Sequence, residues 1–364
     1  MYNPFQSIVN MLEYNQFEER MFLYMTEQQE KDYYADHTLS VSSVRLFAQN
    51  PARALADCNG EYPWFDGDGN ALELGRAFHQ MMEDMLTFVK EHADDADADT
   101  LRQQAYDTAE KSLGDELKKD KQYQPLLTKA GALRADTKRL FVWVKALWFS
   151  TAVDPLIDFA TVHDDKMRLF IEKPFKSTYQ DVAYKGKLDV FTLDAHKGVI
   201  DAYDYKTSKP FPISGKDWGT DVFGHRRYMP VEWTVEKLFP WQAGVYRQLL
   251  RDNGCEKYTI RYHYLVVSKQ DVPRIDVFEI TPESMDLGFE QFAEWLVKAD
   301  RYIAGVEEAP LVMDDSNFVH EKTQKNPIMH ETDFNEGKDA EAESEKATGP
   351  DLIANFKAKQ KTAS

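Results

Sequence analysis

The segment from residue 182 to residue 207 constrains the fold most, because it predicts two consecutive β-strands joined by a short turn. Residues 199–207 are rich in β-branched and aromatic side chains, which favour a strand, and residues 182–193 have the same character. The five residues between these two runs include the Asp and Gly that are typical of a tight turn. We therefore expect an antiparallel hairpin centred between His196 and Lys197.

This hairpin carries two carboxylates and a lysine. Asp204 and Lys206 are two apart on a strand, so they share the apolar face of Ile200 and Ala202, where an unpaired charge is costly to bury. The expected register places Asp189 opposite Asp204, with Cβ atoms about 5 Å apart. A divalent cation between the two carboxylates would turn their repulsion into binding, and their hard oxygen atoms suit Mg²⁺ or Mn²⁺. An exposed Asp–Lys network across the strands is the alternative interpretation.

Side-chain alternation gives the hairpin a candidate active face. It predicts that Asp189 lies on the same face as Lys187 and Phe191. Lys206 would lie beside a metal held by the two aspartates, where its ammonium can hold a water or stabilise charge that develops on a phosphate.

A helix upstream of the hairpin carries a candidate metal ligand. Apolar side chains at helical spacing predict this helix over residues 71–92. Gly75 and His79 lie one turn apart on one face, so the glycine permits the close approach of another backbone and the imidazole can reach a metal on the sheet. From the residues alone, a packing or capping role for this histidine is the more common interpretation.

Two further segments carry candidate site residues. Alternating apolar side chains predict a strand over residues 167–173, with Glu172 at its end. A helix is predicted over residues 238–253, and Gln242 and Tyr246 lie one turn apart on the same side of it. Without further evidence, Glu172 is interpreted as a solvated carboxylate. Gln242 and Tyr246 are then interpreted as residues that pack an amphipathic helix.

Five short runs from these segments together resemble motifs of the PD-(D/E)xK nuclease superfamily, in the order found in its RecB-like and RecE-like branch. In chain order the runs are Gly75-Arg-Ala-Phe-His79, Ile171-Glu172, Gly186-Lys-Leu-Asp189, Asp204-Tyr-Lys206-Thr207 and Gln242-Ala-Gly-Val-Tyr246. The resemblance extends over residues 39–305. It implies an α/β fold with a mixed central β-sheet flanked by helices, of the restriction-endonuclease type, with a helical N-terminal elaboration.

The resemblance also implies roles for these residues. It implies a site for Mg²⁺ (or Mn²⁺) with the ligands His79, Asp189, Asp204 and the backbone carbonyl of Tyr205. Glu172 would support this site, directly or through water. Lys206 would orient or activate the attacking water and stabilise the transition state. The residues expected to position the substrate are Lys187, Arg226, Arg227, Gln242 and Tyr246.

The implied activity is that of exonucleases of the exodeoxyribonuclease VIII type, which are often encoded by phages or prophages. Such an enzyme digests one strand of double-stranded DNA from an end and works with a single-strand annealing protein in recombination or repair. Many of these exonucleases form rings, so a homo-oligomeric ring is expected. The alternatives are an endonuclease, a nuclease for single strands or flaps, or a non-catalytic scaffold that binds DNA ends.

The net charge of −18 at first argues against DNA binding, because contacts to phosphates require Lys and Arg. Many of the acids fall in residues 331–347, and we interpret residues 320–364 as a disordered acidic tail. Residues 1–37 form a helix-prone acidic leader, so residues 38–310 are the expected nuclease domain. Basic residues cluster in sequence near the predicted strands and mark an expected DNA path: Lys173, Lys176, Lys185, Lys187, Lys206, Lys209, Lys216, Arg226 and Arg227.

Composition limits the remaining possibilities. An irregular loop with Trp218, Trp233 and the two arginines is predicted after the hairpin and is a candidate substrate channel. The only cysteines are Cys58 and Cys255, which excludes a four-cysteine iron–sulfur cluster. No apolar stretch approaches the roughly 20 residues that span a membrane, and no signal peptide is apparent. We therefore expect a cytoplasmic protein, in a bacterial host cell.

Overall fold

A mixed six-stranded sheet lies at the centre of the part of the chain that the structure describes. The structure is a computed structural model, and it describes residues 38–61, 70–208, 216–220, 226–230 and 240–312. The leader expected over residues 1–37 and the tail expected over residues 320–364 lie outside the described residues.

A short first strand is followed by a run of helices, then by a run of strands, and the chain continues with a helix, two strands and a last helix. The strands are β1 (Leu39–Ser40), β2 (Met167–Tyr179), β3 (Val182–Asp194), β4 (Val199–Ser208), β5 (Lys216–Thr220), β6 (Arg226–Pro230), β7 (Thr259–Ser268) and β8 (Ile275–Ile280). The helices are α1 (Val41–Gln49), α2 (Pro51–Cys58), α3 (Asn70–Glu91), α4 (Ala98–Lys119), α5 (Ala135–Trp148), α6 (Asp154–Thr161), α7 (Pro240–Leu250) and α8 (Pro282–Ile303). A short π-helical segment, Arg251–Cys255, follows α7 and carries Gly254 in the left-handed region.

The sheet order follows from the short connections and one helical crossover. Strand β3 pairs antiparallel with β2 and β4, and parallel with β1. Strand β4 pairs parallel with β7, which the chain reaches after α7, and β7 pairs antiparallel with β8. A parallel neighbour needs a crossover connection of this kind. The expected fold class, a mixed sheet flanked by helices with a helical region before it, is confirmed.

The hairpin of β3 and β4 has the expected register. Its described pairs run from Asp194 opposite Val199 to Val190 opposite Tyr203. The next residues on the two strands are Asp189 and Asp204. The N-terminal part of β3, at Tyr184 and Lys185, pairs with β1 instead of β4. The two aspartates therefore lie at the point where β3 and β4 separate.

Two layers of helices cover the sheet, one on each face. On one face, α1, α7 and α8 bury a core with β3, β4 and β7 that includes Phe47, Trp241 and Phe292. On the other face, α3, α4, α5 and α6 bury a second core that includes Met81 and Trp148. Both cores are made of large apolar side chains, and their removal from water is the main stabilising contribution to such a fold. None of the described helices is long and apolar enough to cross a bilayer.

The expected end of β2 was wrong. The strand continues to Tyr179, so Glu172 lies in its middle. Glu172 has a φ of 50°, a left-handed conformation that interrupts the strand without ending it. Pro174 follows and still pairs with Lys187 in register. Proline is tolerated here because, among the described strands, β2 pairs only with β3 and so lies at an edge.

The expected face of Asp189 was also wrong. Phe191 packs into the core beneath α1 and α7, as does Leu188, although the two residues are three positions apart on the strand. Strict alternation would place these two side chains on opposite faces, so the alternation slips by one residue between them. This slip lies opposite the left-handed Glu172, and it turns Asp189 toward α3 instead of toward the face of Phe191.

The expectation of an irregular loop after β4 was wrong in part. Strands β5 and β6 pair antiparallel, with Lys216 opposite Pro230 and Thr220 opposite Arg226. The side chains of β5 and β6, including those of Arg226 and Arg227, are outside the described part of the structure, as is Trp233.

Two glycines let α7 and α8 cross at backbone contact. A Cβ at Gly288 would lie 2.0 Å from the carbonyl oxygen of Pro240, and a Cβ at Gly244 would lie 2.2 Å from that of Met285. We expect Gly288→Ala to lower the free energy of unfolding by about 3 kcal/mol, because one of the two helices must move. Urea denaturation measures this change.

A matched control for this substitution lies in α4. A Cβ at Gly114 would have no atom within 4 Å, so Gly114→Ala should raise stability by up to about 1 kcal/mol through helix propensity alone. Equal stability of Gly288→Ala and the wild-type protein would contradict the close crossing.

Candidate functional site

A cluster of charged side chains lies where β3 and β4 separate, beneath one turn of α3. It contains His79 from α3, Glu172 from β2, and Asp189 from β3. One possible ligand atom from each of these side chains lies within 4.8 Å of the others. Asp204 and Lys206 adjoin the cluster from β4.

The His79 ring bridges two oxygen atoms of the strands below it. Its Nδ1 lies 3.2 Å from Asp189 Oδ2, and its Nε2 lies 2.9 Å from the carbonyl oxygen of Tyr205. The backbone N–H of Tyr205 also donates to Asp189 Oδ2, at 3.0 Å. Burial alone would lower the pKa of His79, but the Asp189 carboxylate outweighs it and raises this pKa. Burial alone would raise the pKa of Asp189, but the positive charges of His79 and Lys206 outweigh it and hold this pKa below its usual value.

Glu172 completes the cluster from the edge of the sheet. Its carboxylate forms an ion pair with Lys187, the residue that was expected to position substrate. Burial and the negative charge of Asp189 raise the pKa of Glu172, although Lys187 opposes them. The site therefore holds carboxylates together against their mutual repulsion, and does so with a strained residue.

The left-handed backbone of Glu172 leads to a stability prediction. Both Glu172→Gly and Glu172→Ala remove the carboxylate, but only glycine adopts a φ of 50° without a steric cost. We expect Glu172→Gly to be the more stable variant by about 1 kcal/mol, which reverses the usual order of these residues in a strand. Thermal and urea unfolding of the two variants measure the difference. A more stable alanine variant would contradict the left-handed backbone.

Asp204 is the most deeply buried carboxylate of the site, at 1% exposure. Its Oδ2 accepts hydrogen bonds from Gln242 Nε2 at 2.6 Å and from the Tyr262 hydroxyl at 3.1 Å. Its Oδ1 lies 2.5 Å from Lys206 Nζ, but among the described atoms it has no partner in hydrogen-bonding geometry. Burial raises the pKa of Asp204, Lys206 opposes this effect and Asp189 adds to it.

The glycine and the tyrosine of two separate sequence motifs meet behind the site. A Cβ at Gly186 would lie 2.5 Å from the Tyr246 ring and 2.8 Å from the Leu249 side chain. Because Gly186 lacks a side chain, α7 can lie against β3 at this point and bring Gln242 to Asp204. Gln242 and Tyr246 thus share the face that was expected of them.

The match to a protein family covers most of the chain. The family model of the PD-(D/E)XK nuclease superfamily matches residues 38–316. The chain belongs to this superfamily. Nucleases of the superfamily use divalent metal ions, and hydrolysis of nucleic acid is therefore the activity expected of the site.

Comparison with solved structures supports the same PD-(D/E)XK fold. The crystal structure of a protein from Eubacterium rectale, named "Putative exonuclease", superimposes with a TM-score of 0.53 at 15% sequence identity. The match covers 82% of this chain and 93% of that one. At this identity the likeness concerns the fold alone. None of the curated proteins matches this sequence.

The donor set of this PD-(D/E)XK site suits a divalent cation. Carboxylate oxygens and a histidine nitrogen converge there, together with the Tyr205 carbonyl. The Oδ1 atom of Asp204 is buried and, among the described atoms, has only the ion pair with Lys206 and no partner in hydrogen-bonding geometry, so it has a lone pair to offer to a metal ion. Hard oxygen ligands and close like charges are the features that favour Mg²⁺ or Mn²⁺.

Some residues at this PD-(D/E)XK site were not anticipated from sequence. Tyr262 donates to Asp204, and the Tyr264 ring centroid lies 5.8 Å from Lys206 Nζ. The two tyrosines are two apart on β7, which pairs with β4, so their spacing on a predicted strand was a usable signal. The described side chains do not include Arg226 and Arg227, so their expected role stays a prediction.

Proposed function

We propose that this protein is a Mg²⁺-dependent exodeoxyribonuclease that hydrolyses one strand of duplex DNA from its ends. The observation that carries the proposal is the placement of Lys206 against Asp204, beside the cluster of Asp189, Glu172 and His79. A carboxylate-lined metal site with an adjacent ammonium suits attack of water on a phosphodiester.

The metal would be held by Asp189, Asp204, His79 and the carbonyl oxygen of Tyr205, with Glu172 as a further carboxylate. When bound, a divalent cation supplies a more acidic water and neutralises charge on the phosphate. His79 lies against both Asp189 and the Tyr205 carbonyl. As a neutral imidazole, His79 would be able to supply one ring nitrogen as a ligand.

The remaining residues act on the water and the DNA strand. Lys206 orients or activates the attacking water and stabilises negative charge that develops on the phosphate oxygens. Gln242 and Tyr262 hold the carboxylate of Asp204 in one orientation through their hydrogen bonds. Tyr246 packs against Gly186 and so fixes α7 on β3, and Lys187 holds the Glu172 carboxylate in an ion pair. Both residues therefore position other residues of the site.

The preference for duplex ends and the biological setting rest on the order of the sequence motifs. This order favours the RecB-like and RecE-like branch, and hence a phage or prophage recombination nuclease that works in the cytoplasm with a single-strand annealing protein. A ring of identical subunits around DNA would fit such an exonuclease.

Degradation of labelled DNA of different forms tests the proposal. With Mg²⁺ or Mn²⁺, linear duplex DNA should be lost while covalently closed circles persist, and chelator should stop the reaction. Nicking of closed circles would favour an endonuclease, and faster loss of single strands or flaps would favour a nuclease for those forms. Tight binding of ends without cleavage under either metal would indicate a non-catalytic scaffold.

A further inference from the structure

The ammonium of Lys206 lies between a carboxylate and an aromatic ring. Its Nζ is 2.5 Å from Asp204 Oδ1, and it lies over the ring of Tyr264, 5.8 Å from the ring centroid. The face of an aromatic ring attracts a cation within about 6 Å of its centroid, and more strongly where water is excluded. Tyr264 is fully buried, so its ring offers Lys206 a second attractive contact besides Asp204.

The sheet fixes the position of this ring. Strands β4 and β7 pair in parallel along their whole length, and Tyr264 is the register partner of Asp204. Lys206 is two residues beyond Asp204, so all three side chains share one face of the sheet. Two further tyrosines pack beside the ring, since the centroid of Tyr262 lies 5.3 Å from that of Tyr264 and 6.1 Å from that of Tyr246. The Tyr264 ring therefore has little freedom to move away from the lysine.

The contact is one between a cation and a neutral ring. Burial and the negative charge of Asp204 raise the pKa of Tyr264 well above its usual value, so its hydroxyl keeps its proton. Lys206 thus lies against the face of a phenol and does not pair with a phenolate. Removal of the hydroxyl would leave this contact in place, whereas removal of the ring would abolish it.

Lys206 needs a contact that a metal ion does not weaken. Asp204 Oδ1 pairs with the ammonium and is also the atom that can be offered to a metal. An ammonium that shares this oxygen with a divalent cation would be attracted less and would be repelled by the cation. The flexible four-carbon stem of lysine would then allow several positions. A hard cation takes oxygen ligands and not ring carbons, so the attraction of the Tyr264 ring for Lys206 would persist.

We propose that Tyr264 is a positioning residue for Lys206, and that its ring face holds the ammonium in place for phosphodiester hydrolysis. This inference rests on the proposed nuclease function and deepens it. Because Tyr264 is fully buried, it acts through Lys206 and not on the DNA itself. The electron density of the ring, and not only its volume, should therefore affect the rate.

The test changes the ring and its electron density separately. Tyr264→Phe keeps the ring without the hydroxyl, and Tyr264→Leu removes the ring. Phenylalanine analogues with increasing numbers of fluorine atoms, introduced at position 264, weaken the negative ring face step by step at nearly constant size. The same analogues at Phe47 are the matched control, because this ring is equally buried in the same core and stacks on Tyr302 at 6.4 Å. The values of kcat and KM are measured on labelled linear duplex DNA with Mg²⁺.

Tyr264→Phe should keep kcat within about twofold of wild type, and Tyr264→Leu should lower kcat about tenfold with little change in KM. Each further fluorine at position 264 should lower kcat again, whereas fluorination at Phe47 should leave it unchanged. In a Lys206→Ala background, Tyr264→Leu should have no further effect on kcat, because the ring acts only through the lysine.

Unfolding in EDTA gives a readout that does not depend on catalysis. Fluorination at position 264 should lower the melting temperature of the wild-type chain more than that of Lys206→Met, which keeps a stem of similar length without the charge. Fluorination at Phe47 should have the same effect in both backgrounds. A role of Tyr264 in packing alone would produce no such difference.

Each contrary result has its own meaning. Wild-type kcat in Tyr264→Leu would refute the inference alone, and a Tyr264→Phe as slow as Tyr264→Leu would assign the role to the hydroxyl. Fluorinated proteins as active as Tyr264→Phe would mean that the ring only fills space, and this series decides the question if Tyr264→Leu does not fold. If the wild-type protein degrades no DNA, the inference and the proposed function fail together.

Discussion

Lys206→Ala is expected to lower the rate of DNA hydrolysis by at least about a hundredfold. Lys206 is the cation closest to the buried carboxylate of Asp204, with 29% of its side chain exposed. It is therefore held in place by the site and yet open to a ligand. Loss of its ammonium removes charge stabilisation that is needed mainly in the transition state, so kcat should fall more than KM rises.

A second substitution separates two roles of Lys206. Arginine keeps the positive charge but cannot be deprotonated in a protein. If Lys206 only stabilises negative charge, Lys206→Arg should retain much more activity than Lys206→Ala. If Lys206 must exchange a proton with the water, the two variants should be equally inactive.

The matched control for Lys206 is Lys298→Ala. Lys298 lies in α8, where it is exposed and pairs with Glu294 one turn away. This control should degrade linear duplex DNA at the wild-type rate, and both lysine variants should keep the wild-type melting temperature within a few degrees. Retention of more than a tenth of wild-type activity by a folded Lys206→Ala would refute the proposed role of this lysine.

The hairpin explains why much of the site could be predicted from sequence. Its register depends on local features, namely alternating side chains and a short turn with Asp and Gly. The pairs from Asp194 opposite Val199 to Val190 opposite Tyr203 follow that register. Once the hairpin is correct, Asp189 and Asp204 are adjacent by necessity, because each follows the last of these pairs on its own strand.

The errors arose where one residue departs from local rules. The strand rules predicted that β2 ends near Glu172, just before Pro174, and that Asp189 keeps the face of Phe191. These rules do not anticipate a glutamate with a positive φ, which is rare. The structure has a left-handed Glu172 within a longer strand, with the slip in alternation opposite it. Such strain is found where a fold holds a functional side chain against its own preference, and propensity rules contain no information about it.

Other contacts depend on the three-dimensional arrangement of distant segments. The contact of Gly186 with Tyr246 forms only when α7 lies across β3. The sequence motifs contain Gly186 and Tyr246 separately, and they do not show that the two residues are in contact.

Asp204→Asn is expected to abolish the stabilisation of the protein by divalent metal. At a metal concentration a hundredfold above the dissociation constant, binding to the folded wild type alone should raise its stability by about 2.7 kcal/mol. Asp204 supplies a buried oxygen without a hydrogen-bond partner among the described atoms, and the neutral amide is a much weaker ligand for Mg²⁺ or Mn²⁺. Thermal unfolding with MgCl₂ or MnCl₂, against EDTA, measures the effect.

Without metal, we expect the two Asp→Asn substitutions to have different effects on the stability of the protein. Burial holds the pKa of Asp204 above its usual value, so the fold disfavours its charge, and Asp204→Asn should not be less stable than wild type in EDTA. His79 and Lys206 hold the pKa of Asp189 below its usual value despite burial, so the fold gains stability from that charge and Asp189→Asn should be less stable.

A control substitution on β4, the strand of Asp204, distinguishes the loss of a metal ligand from the general effect of removing an acidic side chain. Asp201 lies on β4 outside the cluster, where it pairs with Arg261 and His263. Asp201→Asn should lose stability through these pairs but keep the full response to metal, whereas Asp189→Asn and Asp204→Asn should both lose that response. If metal stabilises Asp204→Asn as much as wild type, Asp204 is not a ligand. The cation would then be held by His79, Glu172 and Asp189, the three residues whose ligand atoms already converge.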